Sequence, residues 1–355
     1  MEAQPPIIDA REAGAAVDAV LERLFSLSRK RAESYGPDFV ELWSEIERAT
    51  VGGKRFRPRL VLTTYEALGG EDRTAAAYVA AAFELLHTAL VVHDDVIDRD
   101  FQRRGVPNIA GRYRDRAVQR GAAASDAEHR GASAAVIAGD LALFNAYRLI
   151  DHSGVEDVLR GRLLEVMDEA LFASAAGELM DLDMSLHSSA EVAEIVRMER
   201  YKTAVYSFEC PLQAGALLAG AELRVVDALA EAGRELGVAY QIVDDLLGVF
   251  GSEAQTGKTI LGDLREGKRT ALIAYAARTS AWTDLQHLVG KPDLCEEEAA
   301  VARAALEACG ARAFAEELVR EHAVRADALL AHEWVPQSVR DAIRPLVEPM
   351  LDRVR

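Results

Sequence analysis

The sequence has few of the residues that cross-link or subdivide a protein. Its three cysteines, Cys210, Cys295 and Cys309, lack the paired spacing of a metal site. Such sparse cysteine usage is typical of a reducing compartment, so we expect a cytoplasmic protein. The chain has only 10 prolines, and no stretch rich in proline, glycine and serine divides it. We therefore expect a single domain over residues 1–355.

Basic charge and long apolar runs are also scarce. The formal net charge is −17, and no basic block is present, which argues against a protein that binds nucleic acid by neutralising phosphates. Glu209 and Pro211 interrupt the most apolar stretch, 204–221, which favours a buried helix over a membrane span. Residues 1–12 show no signal pattern. We expect no nucleic-acid partner and no transmembrane segment.

Most of the chain shows the apolar periodicity of α-helices. Apolar residues recur at intervals of three and four, as at Val17, Val20 and Leu24, and alternating β-branched residues are rare. This pattern predicts an all-α protein of about ten to twelve helices with essentially no sheet. Three segments are predicted to be non-helical: 100–130, rich in arginine and glycine, the glycine-rich 250–267, and the connection 280–295.

The first chemical motif is a cluster of aspartates at 94–98. On a helix, Asp94 and Asp98 lie four residues apart and Asp95 and Asp98 three apart, so the three carboxylates share one face. Three like charges destabilise that face unless a divalent cation offsets them. Magnesium uses one or two carboxylates together with waters and substrate phosphates. The cluster therefore predicts a magnesium site.

The second motif is the pair Asp244 and Asp245, with apolar residues on both sides within 237–248. Burying adjacent carboxylates without partners costs several kcal/mol per ion. Solvated charges at a helix end would be the ordinary interpretation of one such cluster. Two clusters, each in an apolar helix and each followed by a basic, glycine-containing segment, favour metal binding instead.

A basic element, Gly-Gly-Lys-Arg-Phe-Arg-Pro at 52–58, precedes an apolar helix. Glycines let a ligand approach the backbone, the helix start offers free N–H groups, and the basic side chains supply charge-assisted bonds, which together outline a diphosphate site. Alone, the element would be interpreted as a basic surface turn. His87 lies two helical turns before Asp94, on a nearby face. Other basic residues follow or separate the clusters: Arg103, Arg104, Lys202, Lys258 and Lys268.

In this order, the elements resemble the trans-isoprenyl diphosphate synthase (polyprenyl synthetase) family, in a form like the geranylgeranyl diphosphate synthases. The matching motifs span 50–275 and include Asp-Asp-Val-Ile-Asp at 94–98, Lys-Thr-Ala at 202–204 and Gln-Ile-Val-Asp-Asp at 241–245. The resemblance implies a prenyltransferase that condenses isopentenyl diphosphate with dimethylallyl, geranyl or farnesyl diphosphate by magnesium-assisted ionisation, condensation and elimination. It also implies a homodimer.

The resemblance further implies a role for each matching residue around a central cavity. Three magnesium ions would be held mainly by Asp94, Asp98 and Asp244, with Asp95 and Asp245 in support. The allylic diphosphate would meet Arg103, Lys202 and Lys258. The diphosphate of isopentenyl diphosphate would meet Lys54, Arg57, His87 and Arg104. Thr203 and Gln241 would line the carbocation site, and Lys268 would close over the diphosphate.

The second motif departs from the family pattern at one position. Gly248 stands where many relatives have a third aspartate, and 262–263 offers one aspartate, Asp263, where some relatives have two. Family metals bind there mainly through the first aspartate, so we expect activity to survive. How the third metal is held is left open.

Product length depends, by the same resemblance, on the helix before the first cluster. Ala89 lies five residues before Asp94, about 7.5 Å along that helix. Leu90 and Leu86 are the neighbouring candidates for the floor of the product tunnel. A bulky side chain at position 89 would favour a short product, whereas alanine opens the floor. We expect geranylgeranyl diphosphate, with farnesyl diphosphate or a longer chain as the alternatives.

Two other functions compete with the synthase. A class I terpene cyclase also uses an acidic cluster and magnesium, but its second metal motif differs from Asp244-Asp245, and it has no use for the basic element at 52–58. A non-catalytic partner subunit of a prenyl synthase would be expected to lose an acidic motif, and Gly248 is the one hint of such a loss.

Overall fold

The computed structural model describes residues 10–53, 55–185, 191–251 and 261–351, and these are almost entirely helical. The all-α prediction is confirmed, although the described residues form more helices than the ten to twelve expected, because several are short. The contacts divide the chain into two compact units. The first comprises Met1–Glu165 with Leu217–Gly220, and the second Val166–Ala216 with Ala221–Arg355. The single-domain expectation stays a prediction.

Within the part of the chain that the structure describes, the first unit contains six α-helices and a small hairpin, with the start of a seventh helix. They are α1 (Ala10–Ala32), a 3-10 turn (Glu33–Tyr35), α2 (Pro37–Thr50), α3 (Phe56–Ala67), α4 (Arg73–Ile97), β1 (Gln102–Arg103), β2 (Val106–Pro107), α5 (Ile109–Gln119), α6 (Ala124–Asp151) and the first part of α7 (Asp157–Ser185).

Helix α4 is the core of the first unit. Asp72 caps its N-terminus by accepting hydrogen bonds from the backbone N–H groups of Thr74 and Ala75, at 3.0 and 3.1 Å. Alanines and glycines on α6 let that helix pack closely, and a Cβ atom on Gly139 would meet the ring of His93. The helix ends at Ile97, so the first acidic cluster lies at its C-terminus. Because the negative end of the helix dipole lies there, this is where a cation is most needed.

Among the described residues, two helices, α4 and α6, are long and apolar enough to cross a membrane by length and composition. In α4, 78% of the most apolar window is buried inside the protein, and in α6 50% is buried. Burial of this extent is typical of a core helix.

The second unit contains the other helices of the described residues. They are the rest of α7, α8 (Val192–Glu199), a π-helical segment (Arg200–Glu209), α9 (Cys210–Leu218), α10 (Leu223–Phe250), α11 (Gly262–Glu266), α12 (Ala271–Ala276), α13 (Trp282–Leu285), α14 (Glu296–Ala308), α15 (Ala311–Leu330) and α16 (Gln337–Leu351). Helix α10 is its core element, with Ile242, Leu246 and Val249 buried, and it carries the second acidic pair near its C-terminal end.

The prediction of a non-helical segment over 100–130 was wrong. Helix α5 and the start of α6 lie inside it, because Ile109, Tyr113 and Ala117 form an apolar stripe hidden among arginines. Asn108 caps α5 by accepting a hydrogen bond from the backbone N–H of Gly111 at 2.8 Å. The connection 280–295 holds only the short helix α13. Of 250–267, the part 252–260 lies outside the described residues, and α11 occupies the rest.

Candidate active site

The three carboxylates of the first cluster have different environments. Asp95 is 4% exposed, whereas Asp94 is partly exposed and Asp98, the C-cap of α4, is exposed. Arg103 joins the first two, since its Nε donates to Asp95 Oδ1 at 2.8 Å and its Nη2 to Asp94 Oδ2 at 3.2 Å. Burial raises the pKa of Asp95, although Arg103 opposes that shift. The cluster therefore pairs a buried, cation-bound carboxylate with accessible ones.

A two-residue turn positions that arginine. Gln102 pairs with Pro107 and Arg103 with Val106, which leaves Arg104 and Gly105 at the tip of the hairpin. Both have positive φ, at 54° and 74°, the signature of a type I′ turn. An arginine is unfavourable in that conformation. The turn places Arg103 against the carboxylates while Arg104 remains exposed.

Within the basic element at 52–58, Arg55 is bound to the protein itself. Arg55 has a left-handed backbone, with φ 48°, and its guanidinium is bound inward. It donates to the Thr50 carbonyl at 2.8 Å, to buried Glu84 at 3.0 Å and to Asp18 at 2.8 Å. Arg55 is therefore a structural anchor. Lys54 lies outside the described residues.

His87 lies among the predicted substrate-binding arginines of the first unit. Burial lowers the pKa of His87 well below its usual value, and the positive charges of Arg57, Arg103 and Arg104 lower it further. The structure thus brings these four predicted residues close enough to interact electrostatically. A neutral imidazole among three guanidinium groups is an environment that attracts an anion.

The predicted tunnel-floor residues are all on α4, before the first cluster. Ala89 and Leu86 are fully buried, each with 0% exposure, and Leu90 is partly exposed.

The second cluster repeats the pairing of a buried and an accessible carboxylate. Asp245 is 3% exposed and Asp244 is exposed. Gln241 Nε2 and Lys268 Nζ each donate to Asp245 Oδ1 at 3.2 Å. The charge of Asp245 raises the pKa of Lys268 well above its usual value, against the effect of burial. The structure thus brings together three of the predicted residues.

Lys202 and Thr203 lie in the π-helical segment that separates α8 from α9. Segments of π-helix are rare and are frequent at functional sites. Lys202 Nζ lies 2.6 Å from Asp181 Oδ2 and 3.0 Å from Glu178 Oε2 on α7. Gly177 permits this approach, because a Cβ atom there would lie 2.6 Å from the Cα of Lys202. Lys258 lies outside the described residues.

Sequence reasoning missed one residue of the second cluster, Glu199. It is 3% exposed, and its buried carboxylate lies close enough to Asp245 for the two groups to interact. Burial, and then the charge of Asp245, raises the pKa of Glu199 well above its usual value. Its sequence context, Arg-Met-Glu-Arg, is that of a solvated helix face, so no signal marked it.

Within the described residues, no group of three or more His, Cys, Asp or Glu side chains is preassembled around a metal. The accessible Asp94 and Asp98 in one cluster, and Asp244 in the other, suit magnesium nonetheless, because that ion takes few protein carboxylates and completes its shell with phosphates and water. A cavity of about 260 Å³ opens beside the second cluster. It is lined by Asp181, 266–269, Trp282, Gln286, Val289 and Gly290.

A helical protein that places basic groups beside acidic helix ends has the architecture of an isoprenyl diphosphate synthase. Comparison with known proteins agrees with that class. A family model described as polyprenyl synthetase matches residues 41–307, and the chain belongs to this family. It is a trans-prenyltransferase that elongates prenyl chains.

Curated and solved relatives match between 63% and 98% of this chain. The geranylfarnesyl diphosphate synthase of Aeropyrum pernix is 32% identical over 86% of this chain and 91% of its own. The geranylgeranyl diphosphate synthase of Sulfolobus acidocaldarius is 34% identical over 63% of each chain. A Corynebacterium glutamicum geranylgeranyl pyrophosphate synthase, solved with isoprenyl diphosphate and magnesium, matches with a TM-score of 0.90 and 29% identity over 98% of this chain and 100% of that one.

Proposed function

We propose that this chain extends an allylic diphosphate with isopentenyl diphosphate in a magnesium-dependent reaction, with geranylgeranyl diphosphate as the main product. One observation carries the proposal: each acidic cluster sets an accessible carboxylate beside a buried one that is bound to a cation. Asp94 stands beside Asp95 with Arg103, and Asp244 beside Asp245 with Lys268. Such an arrangement fixes the backbone of the motif while an oxygen ligand faces outward.

Asp94, Asp98 and Asp244 would hold the metal, and Asp95 and Asp245 would position the helix ends. When bound, three magnesium ions would neutralise the diphosphate and stabilise the charge that develops as it leaves. Without them, three carboxylates at the negative end of α4 would repel the substrate.

The basic groups divide between the two substrates. Arg103, Lys202 and Lys258 would bind the allylic diphosphate, and Lys54, Arg57, His87 and Arg104 the isopentenyl diphosphate. Lys268 would close over the allylic diphosphate. Lys202 is paired with Asp181 and Glu178, so the allylic diphosphate would have to compete with those carboxylates for it.

The reaction needs no nucleophilic side chain. The allylic C–O bond breaks and leaves diphosphate and an allylic cation, and the isopentenyl double bond attacks that cation to form the new C–C bond. A proton then leaves to the released diphosphate. Gln241 donates its amide N–H to Asp245, which orients the side chain and directs its carbonyl oxygen elsewhere. That oxygen and the Thr203 hydroxyl would stabilise the developing positive charge.

The experiment that tests this function uses the purified chain alone. It is incubated with labelled isopentenyl diphosphate and dimethylallyl, geranyl or farnesyl diphosphate, with and without magnesium, and the dephosphorylated products are sized. We expect a magnesium-dependent ladder that ends at one length. No elongation with any primer would overturn the proposal. Cyclic hydrocarbon formed without isopentenyl diphosphate would indicate a cyclase, and activity only with a second protein would indicate a partner subunit.

Product length is tested by Ala89→Phe. Ala89 is fully buried on α4 five residues before Asp94, so a phenyl ring there should block the growing chain. We expect the main product to shorten from geranylgeranyl to farnesyl diphosphate while isopentenyl diphosphate is still consumed. Tyr78→Phe, on the same helix but farther from the cluster, is the control. An unchanged product profile for Ala89→Phe would defeat the tunnel-floor assignment.

We also propose that the chain forms a homodimer. Helix α6 exposes Val136, Ile137 and Phe144, and α7 exposes Phe172, Leu179 and Leu182. Phe172 is 73% exposed and Leu179, two turns on, is 60% exposed, so α7 presents a continuous apolar row to solvent. In light scattering, the wild type should show twice the chain mass of 38.6 kDa. Phe172→Asp should reduce it, and Val324→Asp, an exposed valine on α15, should not. A monomeric wild type would contradict the proposal.

A further inference from the structure

The apolar stretch 204–221 contains one charged side chain, Glu209, and the proposed reaction gives it no role. Glu209 is the last residue of the π-helical segment and is 8% exposed. Burying a carboxylate is costly unless a cation pairs with it. Arg234 on α10 is that cation, since its Nε donates to Glu209 Oε2 at 2.8 Å and its Nη2 to Oε1 at 2.5 Å. This two-pronged bond fixes both the position and the orientation of the carboxylate.

The bond lies where the backbone changes from π-helix to α-helix. The N–H of Cys210 donates to the Val205 carbonyl, five residues earlier, which is the π pattern. The next residue, Pro211, has no N–H to donate. The hydrogen bonds can therefore change from five-residue to four-residue spacing here without leaving a backbone donor unpaired. Glu209 is thus bound immediately before this change.

Two glycines of α10 allow the same segment to approach closely. A Cβ atom built on Gly233 would lie 2.9 Å from the Cα of Glu209, and one built on Gly237 would lie 2.6 Å from the Cα of Ala204. These contacts limit the distance between α10 and the segment, but contacts between carbon atoms have no preferred direction. The bond from Arg234 to Glu209 does have one, because hydrogen bonds weaken steeply when they are misaligned.

Rotation of the segment would move two site residues, Lys202 and Thr203. Both belong to the π-helical segment, and Lys202 Nζ lies 2.6 Å from Asp181 Oδ2. Each residue of an α-helix advances about 100° around the helix axis. A slip of one residue between π and α spacing would therefore turn both side chains away from their present directions.

We infer that Glu209 and Arg234 form a positioning pair, which keeps the π-helical segment in its register and thereby directs Lys202 and Thr203 at the allylic substrate. The inference rests on the proposed function, because it assigns an effect on that substrate to two residues outside the second acidic cluster. A pair with a purely structural role would affect only the stability of the fold.

The test removes the charge of the buried carboxylate. Glu209→Gln keeps the shape of the side chain and weakens its bond to Arg234. The matched control is Glu235→Gln, because Glu235 is the next residue of α10 but bonds to His322 and Arg325 on α15. Both variants are assayed below their unfolding transitions, which are located by circular dichroism.

Steady-state kinetics and hydrogen exchange are then compared with the wild type. In Glu209→Gln, kcat/KM for the allylic diphosphate should fall about tenfold, less than the roughly 100-fold loss for a catalytic group misplaced by 1 Å, because the amide oxygen still accepts one bond. The KM for isopentenyl diphosphate should stay at the wild-type value. Hydrogen exchange over 201–210, followed by mass spectrometry, should become faster. Glu235→Gln should match the wild type in all three measurements.

A double variant tests whether the two residues act through each other. Glu209→Gln/Arg234→Gln should lose no more than the worse of its two single variants, because both changes remove the same contact. Should Glu209→Gln fail to fold, Arg234→Lys takes its place with the same expectations, since lysine keeps the charge but cannot make the two-pronged bond.

Wild-type kinetics in a folded Glu209→Gln variant would overturn the inference, whether or not its hydrogen exchange is faster. An equal loss in Glu235→Gln would also overturn it, because the effect would then not be specific to the π-helical segment. If the wild type elongates no allylic diphosphate, the proposed function itself fails. The exchange over 201–210 then still decides whether the pair holds the segment.

Discussion

Both acidic clusters place an accessible carboxylate beside a buried one, but the segments that supply their charged groups differ. In the first, the end of a single helix supplies Asp94, Asp95 and Asp98, and a hairpin five residues later supplies Arg103. In the second, α10 supplies only Asp244 and Asp245. Its other charged groups come from distant segments: Glu178 and Asp181 on α7, Glu199 on α8, Lys202 in the π-helical segment, Asp263 on α11, and Lys268.

The positions of the charged groups in the two clusters therefore depend on different parts of the protein. The first depends on local sequence, because a helix and a two-residue turn fix every charge within ten residues. The second depends on packing between segments, including glycine contacts at Gly177 and Gly248. Removing a charged group from either cluster should therefore lower activity. Enlarging a glycine that packs beside a cluster should lower activity mainly at the second cluster.

The largest effect is expected from removing the accessible carboxylate of either cluster. Asp94→Asn and Asp244→Asn should each reduce the elongation rate about 1,000-fold, because the charge on the leaving diphosphate loses its stabilisation. Asp100→Asn, an exposed aspartate just beyond the first cluster, is the control. If either active-site variant kept nearly full activity, the two clusters would not be equivalent.

Replacing a closely packed glycine by alanine should affect the second cluster more than the first. Gly177→Ala would place a methyl group against the backbone of Lys202, which cannot move without shifting the π-helical segment. Gly139→Ala would meet only the ring of His93, a side chain that can rotate. We expect Gly177→Ala to lower the elongation rate about 100-fold, the range for a misplaced catalytic group, and Gly139→Ala to act far more weakly.

Gly161→Ala is the matched control for that comparison, because it lies on α7 with nothing within 4 Å. Equal losses for Gly177→Ala and Gly139→Ala would remove the proposed distinction between the clusters.

The buried carboxylate of the first cluster should contribute to stability. Asp95→Asn leaves Arg103 without its principal partner, and breaking such a pair costs up to 3–5 kcal/mol when both groups are buried. Arg103 remains about a third exposed and burial already disfavours the charged form of Asp95, so we expect a loss of about 2 kcal/mol in urea unfolding. A variant as stable as the wild type would mean that solvent screens the pair completely.

The smallest expected effect is the pH dependence of folding stability at His87, which lies among the arginines of the first unit. The pKa of His87 is lower in the folded protein than in the unfolded chain, so below about pH 6.5 the unfolded chain binds the additional proton. Stability from this group is therefore complete above that pH and decreases as the pH falls. In urea unfolding from pH 7.5 to 5.5, the wild type should lose stability relative to His87→Gln. The exposed His129→Gln is the control, and a constant difference between wild type and His87→Gln would contradict the assignment.

The sequence was sufficient for the features that depend on local order. The apolar stripes predicted the helices, and the three- and four-residue spacing at 94–98 placed those aspartates on one helix end. Family membership and the prenyl transfer reaction followed from the order of the motifs and are confirmed by the comparisons. The roles of individual site residues stay predictions.

What the sequence could not provide depends on contacts between distant segments. Four basic residues in 54–59 look alike in sequence, and only the partners of Arg55, at positions 18, 50 and 84, show that it points inward. The close approach of the π-helical segment to α7 depends on Gly177, and nothing in the local sequence indicates that contact. Likewise, nothing in the sequence shows that the carboxylate of Asp263, fifteen residues later, lies against the α-carbon of Gly248.

The most direct test is the magnesium-dependent binding of an unreactive allylic diphosphate analogue, measured by calorimetry on the wild type, Asp94→Asn and Asp244→Asn. We expect the wild type to bind the analogue only when magnesium is present, and either substitution to weaken that binding at least tenfold, the scale of losing a metal contact. Magnesium-independent binding by the wild type, or unchanged binding in either variant, would contradict the claim that two differently built clusters both serve the diphosphate.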